Sequence, residues 1–249
     1  MQATAQEAGS RRARAAAGLE TGLARIRRPF GWLLLALVAS YAWLVVGAPI
    51  DSVQGVIQKI LYVHPPLAYG AYLGFVLTAV GGVLYLRSNR EIYDQLAVAG
   101  AEVGVVFCTL MMVTGPIWAK GTWGHWWSWD PRLTLTLLLW FVYLSYLLLR
   151  GFTEGGARTA RFASVYGIVG TLLIPLNYFV IDLFQGRTMH PANLARGSLG
   201  SGMGMPFLVA NLTLFAAFVY LVLLRWEVEF WRARSLEDDA LEAEEFGAR

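Results

Sequence analysis

Six stretches of this chain are each long and apolar enough to cross a lipid bilayer, and that leaves few folds open to it. A helix needs about 20 mostly apolar residues to span a hydrocarbon core of about 30 Å. Residues 30–48, 67–86, 96–118, 133–149, 162–181 and 206–224 meet that requirement or come close to it. Inside lipid every backbone N–H and C=O must be satisfied within the protein, so isolated spans of this kind are helical. Composition agrees: 15% of the residues are charged, against about 25% in a soluble domain. The expectation is an all-α integral membrane protein with six transmembrane helices. No repeat with a period of 20–50 residues divides the chain. It reads as one membrane domain (30–226) between a basic N-terminal segment (1–29) and an acidic tail (227–249). The first apolar run follows an arginine-rich segment, as a signal peptide would. It is too long for that and no small-x-small cleavage site follows it, so it reads as an uncleaved span.

Orientation follows from the asymmetry of Lys and Arg between the two sets of connecting segments. With the N-terminus in the cytoplasm, fifteen of the 20 basic residues fall inside. Five fall outside: Lys59, Lys120, Arg132, Arg187 and Arg196. Both termini are therefore expected inside. The same assignment puts the only three histidines, His64, His125 and His190, in three different outer loops. The working face is expected to be the outer one.

That face also carries the densest chemical signal in the chain, WAKGTWGHWWSWDPRLT. This 17-residue stretch from Trp118 to Thr134 holds Trp118, Trp123, Trp126, Trp127 and Trp129, closed by Asp130. A few tryptophans at a membrane boundary serve as anchors, since indole is apolar with one N–H that seeks a wet partner. Five around Gly124 exceed that need and suit a large, flat, apolar ligand with a polar rim. If 123–130 is helical, Trp123, Trp126, Trp127 and Asp130 share one face, and Trp118 and Trp129 another. Asp130 before Pro131 and an apolar run is also a helix N-cap signal. Capping and ligand contact are compatible roles.

His64 and His190 each precede proline, in LYVHPPLAY and RTMHPANL. Proline is tolerated in the first turn of a helix, so His64 is placed at the outer mouth of the second span. Either histidine can be an interfacial or capping side chain. The two can also face each other across a planar ligand as axial donors to haem iron, each needing an acceptor for its other ring nitrogen. Zinc is the rival metal, but it takes three or four protein ligands and no such set is evident. The outer cations fit lipid headgroups or the propionates of haem, with Arg132 the first candidate for a propionate fork.

Other signals are weaker. Cys108 is the only cysteine, which excludes an internal disulfide, a C-x-x-C redox pair and a C-x-x-C-H covalent haem site. It reads as a small buried hydrophobe. Glu102 lies about two turns inside the third span, either a functional carboxylate or one reaching the inner boundary. Asn177 and Asn211 read as hydrogen-bond partners between helices. The glycine-rich 197–204 lacks the Gly-Lys-Ser/Thr ending of a phosphate loop and reads as a lid or plain loop.

The order Trp123, Gly124, Trp127, Trp129, Asp130 resembles the W-G-x-x-W-x-W-D signature of the WWD haem-handling membrane proteins of cytochrome c maturation. Thr114, Gly115, Ile117 and Trp118 before it, and Arg132, Leu133 and Thr134 after it, resemble the CcmC branch in particular. His64 and His190 fall where that branch carries its two outer histidines. The resemblance covers most of the chain. It implies non-covalent haem b held on the outer face of the bacterial inner membrane, with iron between His64 and His190 and the ring against the tryptophans and Asp130. It further implies delivery to a periplasmic haem chaperone of the CcmE type, beside ABC transporter subunits. Two positions depart from the pattern. His125 stands where the family more often has a small residue, which makes it a third candidate ligand, and Pro131 follows the aspartate.

The expectation is thus a haem-binding and delivery subunit in the lipid bilayer, not an enzyme. No nucleotide motif, nucleophile–base pair or redox cysteine supports catalysis, and no nucleic-acid partner is expected. The alternative is a b-type cytochrome for membrane electron transfer. That role usually places histidines deep in helices on both halves of the bilayer, and this chain has none on the inner half. A metal-dependent hydrolase would need an acid–base set that is missing.

Overall fold

The computed structural model describes residues 2–153, 155–184, 188–191 and 199–247. Arg187, Arg196 and Gly197 lie outside them. The elements are α1 (Gln2–Gly47), a 3-10 helix (Val56–Tyr62), α2 (His64–Ser88), α3 (Glu91–Trp123), α4 (Pro131–Phe152), α5 (Gly156–Thr171), α6 (Leu173–Leu183) and α7 (Gly204–Gly247). They supply six segments long and apolar enough to cross a membrane, each overlapping one predicted from sequence. No strand forms among the described residues, only an isolated bridge between Asp51 and Gly55. The protein is an all-helical, multi-pass membrane protein. α1 and α7 run unbroken past residues 29 and 227, so the basic and acidic segments continue the outermost helices.

The fifth span departs from a single helix. It turns at Leu172, whose amide reaches back to the Val169 carbonyl, and resumes as α6. Pro175 explains the break: with no N–H to donate, it is tolerated in the first turn of a new helix rather than inside an old one.

α2 and α3 form the tightest pair, and small residues set their distance. A Cβ on Gly74 would lie 2.6 Å from the Gly104 Cα, and one on Gly100 would lie 2.9 Å from the Gly74 carbonyl oxygen. In lipid there is little hydrophobic drive between helices, so backbone approach of this kind supplies the packing energy. Around the pair sit Leu67, Phe75, Phe107, Cys108, Leu139, Tyr143 and Tyr146. Phe75 stacks on Tyr143 at 3.8 Å, and the Tyr143 hydroxyl reaches the Gly167 carbonyl at 2.9 Å. Asn177 donates to Thr136 across helices at 2.8 Å. Asn211 instead bonds the Phe207 carbonyl of its own helix, which corrects the interhelical role expected for it. α1 packs mainly on α7 and turns Trp32 and Trp43 outward.

The bundle has two chemically different ends. At one lie the connections between α1 and α2, α3 and α4, and α6 and α7, with all three histidines; we name it the histidine end. At the other, the termini end, charged groups pair with one another. Arg150 grips Asp94 through two bonds, at 2.8 and 2.5 Å. Arg225 binds both Glu102 and Glu229. Arg27 meets Glu227 at 2.8 Å, joining α1 to α7. Glu102 is thereby placed: it is the partner of Arg225.

Candidate functional site

His64 opens α2, followed by Pro65 and Pro66 in the first turn. Its ring leans on α3. Nδ1 lies 3.1 Å from the Thr114 hydroxyl oxygen, and the ring meets Trp118 edge to face at 5.9 Å. The Thr114 hydroxyl already donates to the Leu110 and Met111 carbonyls. With that single proton on a backbone carbonyl it accepts toward His64, the arrangement in which the His64 proton sits on Nδ1 and the lone pair on Nε2. Gly115 makes room for the ring, since a Cβ there would stand 3.1 Å from His64 Cε1.

His190 reaches the same region from the connection after α6. Its Nδ1 lies 2.8 Å from the Pro191 carbonyl oxygen, an acceptor only, so here too Nδ1 carries the proton and Nε2 the lone pair. Burial pushes the His190 imidazole down to about 4, and the Arg132 charge acts the same way. The bond to Pro191 and the charge of Asp130 oppose the shift. Neutral imidazole, the form that binds a metal, is thus favoured. His64 and His190 lie within electrostatic reach of each other and of Arg132. Arg132 also reaches the Tyr72 hydroxyl. The structure brings these three predicted residues to one place.

Asp130 links the segment that carries His190 to the start of α4. It caps α4, accepting the Arg132 amide at 2.8 Å, as the sequence signal indicated. Its second oxygen accepts the Met189 amide at 2.6 Å. Burial alone would raise the carboxyl. Bonds from the Thr188 hydroxyl and from the amides of Arg132, Met189 and His190 outweigh that and hold it below the usual range.

The tryptophan stretch is not one helix, which corrects the two-face arrangement expected for 123–130. α3 stops at Trp123 because Gly124 takes a left-handed φ of 81° and returns its amide to the Lys120 carbonyl. That conformation favours glycine, and such a residue ends helices. Residues 124–130 continue as an irregular segment. Trp126 and Trp129 are 58% and 75% exposed, so their indoles stand open to a ligand or partner. Trp123 and Trp127 are half-buried, with Trp127 edge to face against Trp129 at 5.9 Å. Trp118 belongs to α3 and donates to Gln54 at 2.8 Å.

The remaining predicted residues separate. His125 packs near Trp123 at 6.2 Å, and its buried Nδ1 has no partner among the described residues. Lys120 donates to the Gly124 carbonyl at 2.7 Å and Lys59 to the Val46 carbonyl at 2.8 Å, so both cations serve helix C-termini. No three His, Cys, Asp or Glu side chains gather as a metal-ion cage among the described residues. Thr114, Gln54 and Thr188 were missed as partners. Thr114 lies in the extended signature, whereas nothing in the sequence marks the other two.

Two imidazoles bonded through Nδ1, a cation within electrostatic reach of both and the Trp118 indole against one of them can hold a flat metal macrocycle. Fold and site define a multi-pass membrane protein with a paired-histidine, tryptophan-rich site at one end. Residues 17–240 match the family described as CcmC, heme exporter protein C, and the chain belongs to that family. It is 32% identical to heme exporter protein C of Bradyrhizobium diazoefficiens, covering 86% of this chain and 84% of that one. For the protein of that name from Haemophilus influenzae the identity is 30%, over 85% of each chain. A ccmC-like mitochondrial protein of cytochrome c biosynthesis from Arabidopsis thaliana is 32% identical, over 80% of this chain and 73% of that one.

Proposed function

We propose that this chain binds haem b non-covalently at the histidine end and hands it to a periplasmic haem chaperone of the CcmE type during cytochrome c maturation. In this reading His64 and His190 are the axial ligands. The histidine end faces the periplasm, and both termini, with the extensions 1–29 and 227–249, lie on the cytoplasmic side of the bacterial inner membrane. ABC transporter subunits of the same system are its membrane partners. The protein carries its cargo without chemically changing it.

The observation that carries this reading is the pair of ring tautomers. Each histidine spends Nδ1–H on an acceptor, Thr114 Oγ1 or the Pro191 carbonyl. The inner nitrogens are thereby fixed and Nε2 is left as donor to iron, the second-shell arrangement found around ligating histidines. Arg132 stands close enough to both rings to meet a propionate. Delivery needs iron held firmly yet one ring edge reachable from outside, and a site at the bundle end with exposed Trp126 and Trp129 meets that need. A b-type cytochrome for electron transfer would need ligands at the termini end too, whereas all three histidines of the chain lie toward the other end.

The test is handover. In Trp127→Ala/Trp129→Ala, haem co-purified per protein and covalent haem on the chaperone are both expected to fall while membrane insertion persists. Trp127→Phe/Trp129→Phe should fall less. Each covered indole buries about 150–250 Å², so losing two weakens binding by several kcal/mol at about 25 cal/mol per Å². Wild-type levels of both quantities in the double Ala variant would reduce the tryptophans to membrane anchors.

A further inference from the structure

The aspartate that closes the tryptophan signature is the least exposed polar group of the site, at 5%. Both carboxylate oxygens are committed to protein donors. One takes the Arg132 amide, the other the Met189 amide 59 positions along the chain. The Thr188 hydroxyl and the His190 amide add further bonds. Even the Asp130 carbonyl is engaged, by the Thr134 amide and hydroxyl at 2.9 Å. The carboxylate thus faces the protein rather than solvent, with each oxygen holding one backbone amide.

Three of those donors, Thr188, Met189 and His190, belong to the segment 188–191. It follows α6 and has no helix or strand to fix it. The His190 amide lies 3.2 Å from the Thr188 hydroxyl oxygen, and the ring is turned onto the Pro191 carbonyl. The direction of Nε2 therefore depends on where this short segment sits. Asp130, itself anchored as the cap of α4, ties it to the helical frame.

We propose that Asp130 is a positioning residue for His190. It docks the 188–191 segment on the start of α4, so that His190 Nε2 meets iron opposite His64, and it does not itself touch haem. The proposal rests on His190 being an axial ligand. It divides the signature into two tasks, with indoles meeting the ligand and the carboxylate holding the ligating loop.

Asparagine separates the roles of the carboxylate. Asp130→Asn keeps one oxygen to cap α4 but presents an NH2 group where the Met189 amide needs an acceptor. Thr188→Val weakens the same tether without altering Asp130. The experiment compares absorption and low-temperature EPR spectra of haem-loaded wild-type, Asp130→Asn, Thr188→Val and His190→Ala proteins, with and without added imidazole. Loss of a supporting partner around a metal ligand weakens binding about 10–100-fold. Asp130→Asn is expected to lose haem affinity in that range and to shift from six-coordinate low-spin toward the spectrum of His190→Ala. Added imidazole should restore the low-spin spectrum in both. Thr188→Val should show a smaller shift in the same direction, and it carries the test if Asp130→Asn does not accumulate. Wild-type spectra in Asp130→Asn, or in Thr188→Val where that variant carries the test, beside an altered His190→Ala overturn the positioning role. So does an Asp130→Asn protein that imidazole cannot restore although it restores His190→Ala. A wild-type spectrum in His190→Ala itself overturns the axial assignment instead.

Discussion

The two ends of this bundle use polar groups in opposite ways. At the termini end they close on one another: Arg150 on Asp94, Arg225 on Glu102 and Glu229, Arg27 on Glu227. Each pair crosses between helices or locks successive turns. Near a low-dielectric interior an unpaired charge is costly, so these charges are paired internally and join α1, α3, α4 and α7. At the histidine end the two facing imidazoles are only half satisfied. His64 and His190 spend one ring nitrogen on the protein and keep a lone pair on the other. Trp126 and Trp129 expose most of their rings. Satisfied polar groups make a frame, and half-satisfied ones held by that frame make a site. The difference separates stability from binding, and mutation can test that separation.

The largest effect on the frame is expected from Arg150→Ala, which strands Asp94 inside the bundle. Removing one partner of a fully buried pair costs about 3–5 kcal/mol, and this half-buried pair should lose part of that, read as a lower denaturation midpoint of the detergent-solubilised protein. Replacing both partners, Arg150→Met with Asp94→Leu, should recover most of the loss. Haem bound per folded molecule should stay at the wild-type level in both. A parallel fall in haem per folded molecule would show that the two ends are coupled.

A smaller effect is expected from pH, and it should arise at the histidine end. The unfolded His190 takes its proton near 6.5, whereas burial holds the folded residue to about 4. Between those values the unfolded chain binds a proton that the folded one refuses. Stability contributed by neutral His190 is therefore complete above about 6.5 and drains away as pH falls toward 4. Haem-free wild-type protein should lose stability across that window relative to its own value at pH 7.5, beyond any loss seen in His190→Ala. Parallel curves for the two would mean that His190 is not desolvated in solution.

The spans were legible because the membrane imposes a length and an apolar content that few residues can hide. Local signals were legible too. Asp130 before Pro131 marked the start of α4, and prolines after His64 marked the first turn of α2. The left-handed Gly124 and the Pro175 break followed the same local rules but were outweighed by the pull of continuous apolar periodicity. What could not be read was contact at a distance. The bond between His64 and Thr114 joins residues 50 apart, and that between Asp130 and Met189 spans 59. Both depend on the packing of α2 on α3 and on the route of the chain after α6. Asn177 met a partner on another helix while Asn211 turned to its own backbone, because residue type alone does not say which helix face a neighbour covers.

Low-temperature EPR of the ferric, haem-loaded protein tests directly whether the half-satisfied imidazoles of His64 and His190 together hold haem iron, as proposed. A low-spin signal of two axial nitrogens is expected in the wild type, with conversion to high-spin iron and strong loss of retained haem in both His64→Ala and His190→Ala, and a near wild-type signal in His125→Ala. Conversion in His125→Ala, with a wild-type signal in either of the other two, would contradict that proposal.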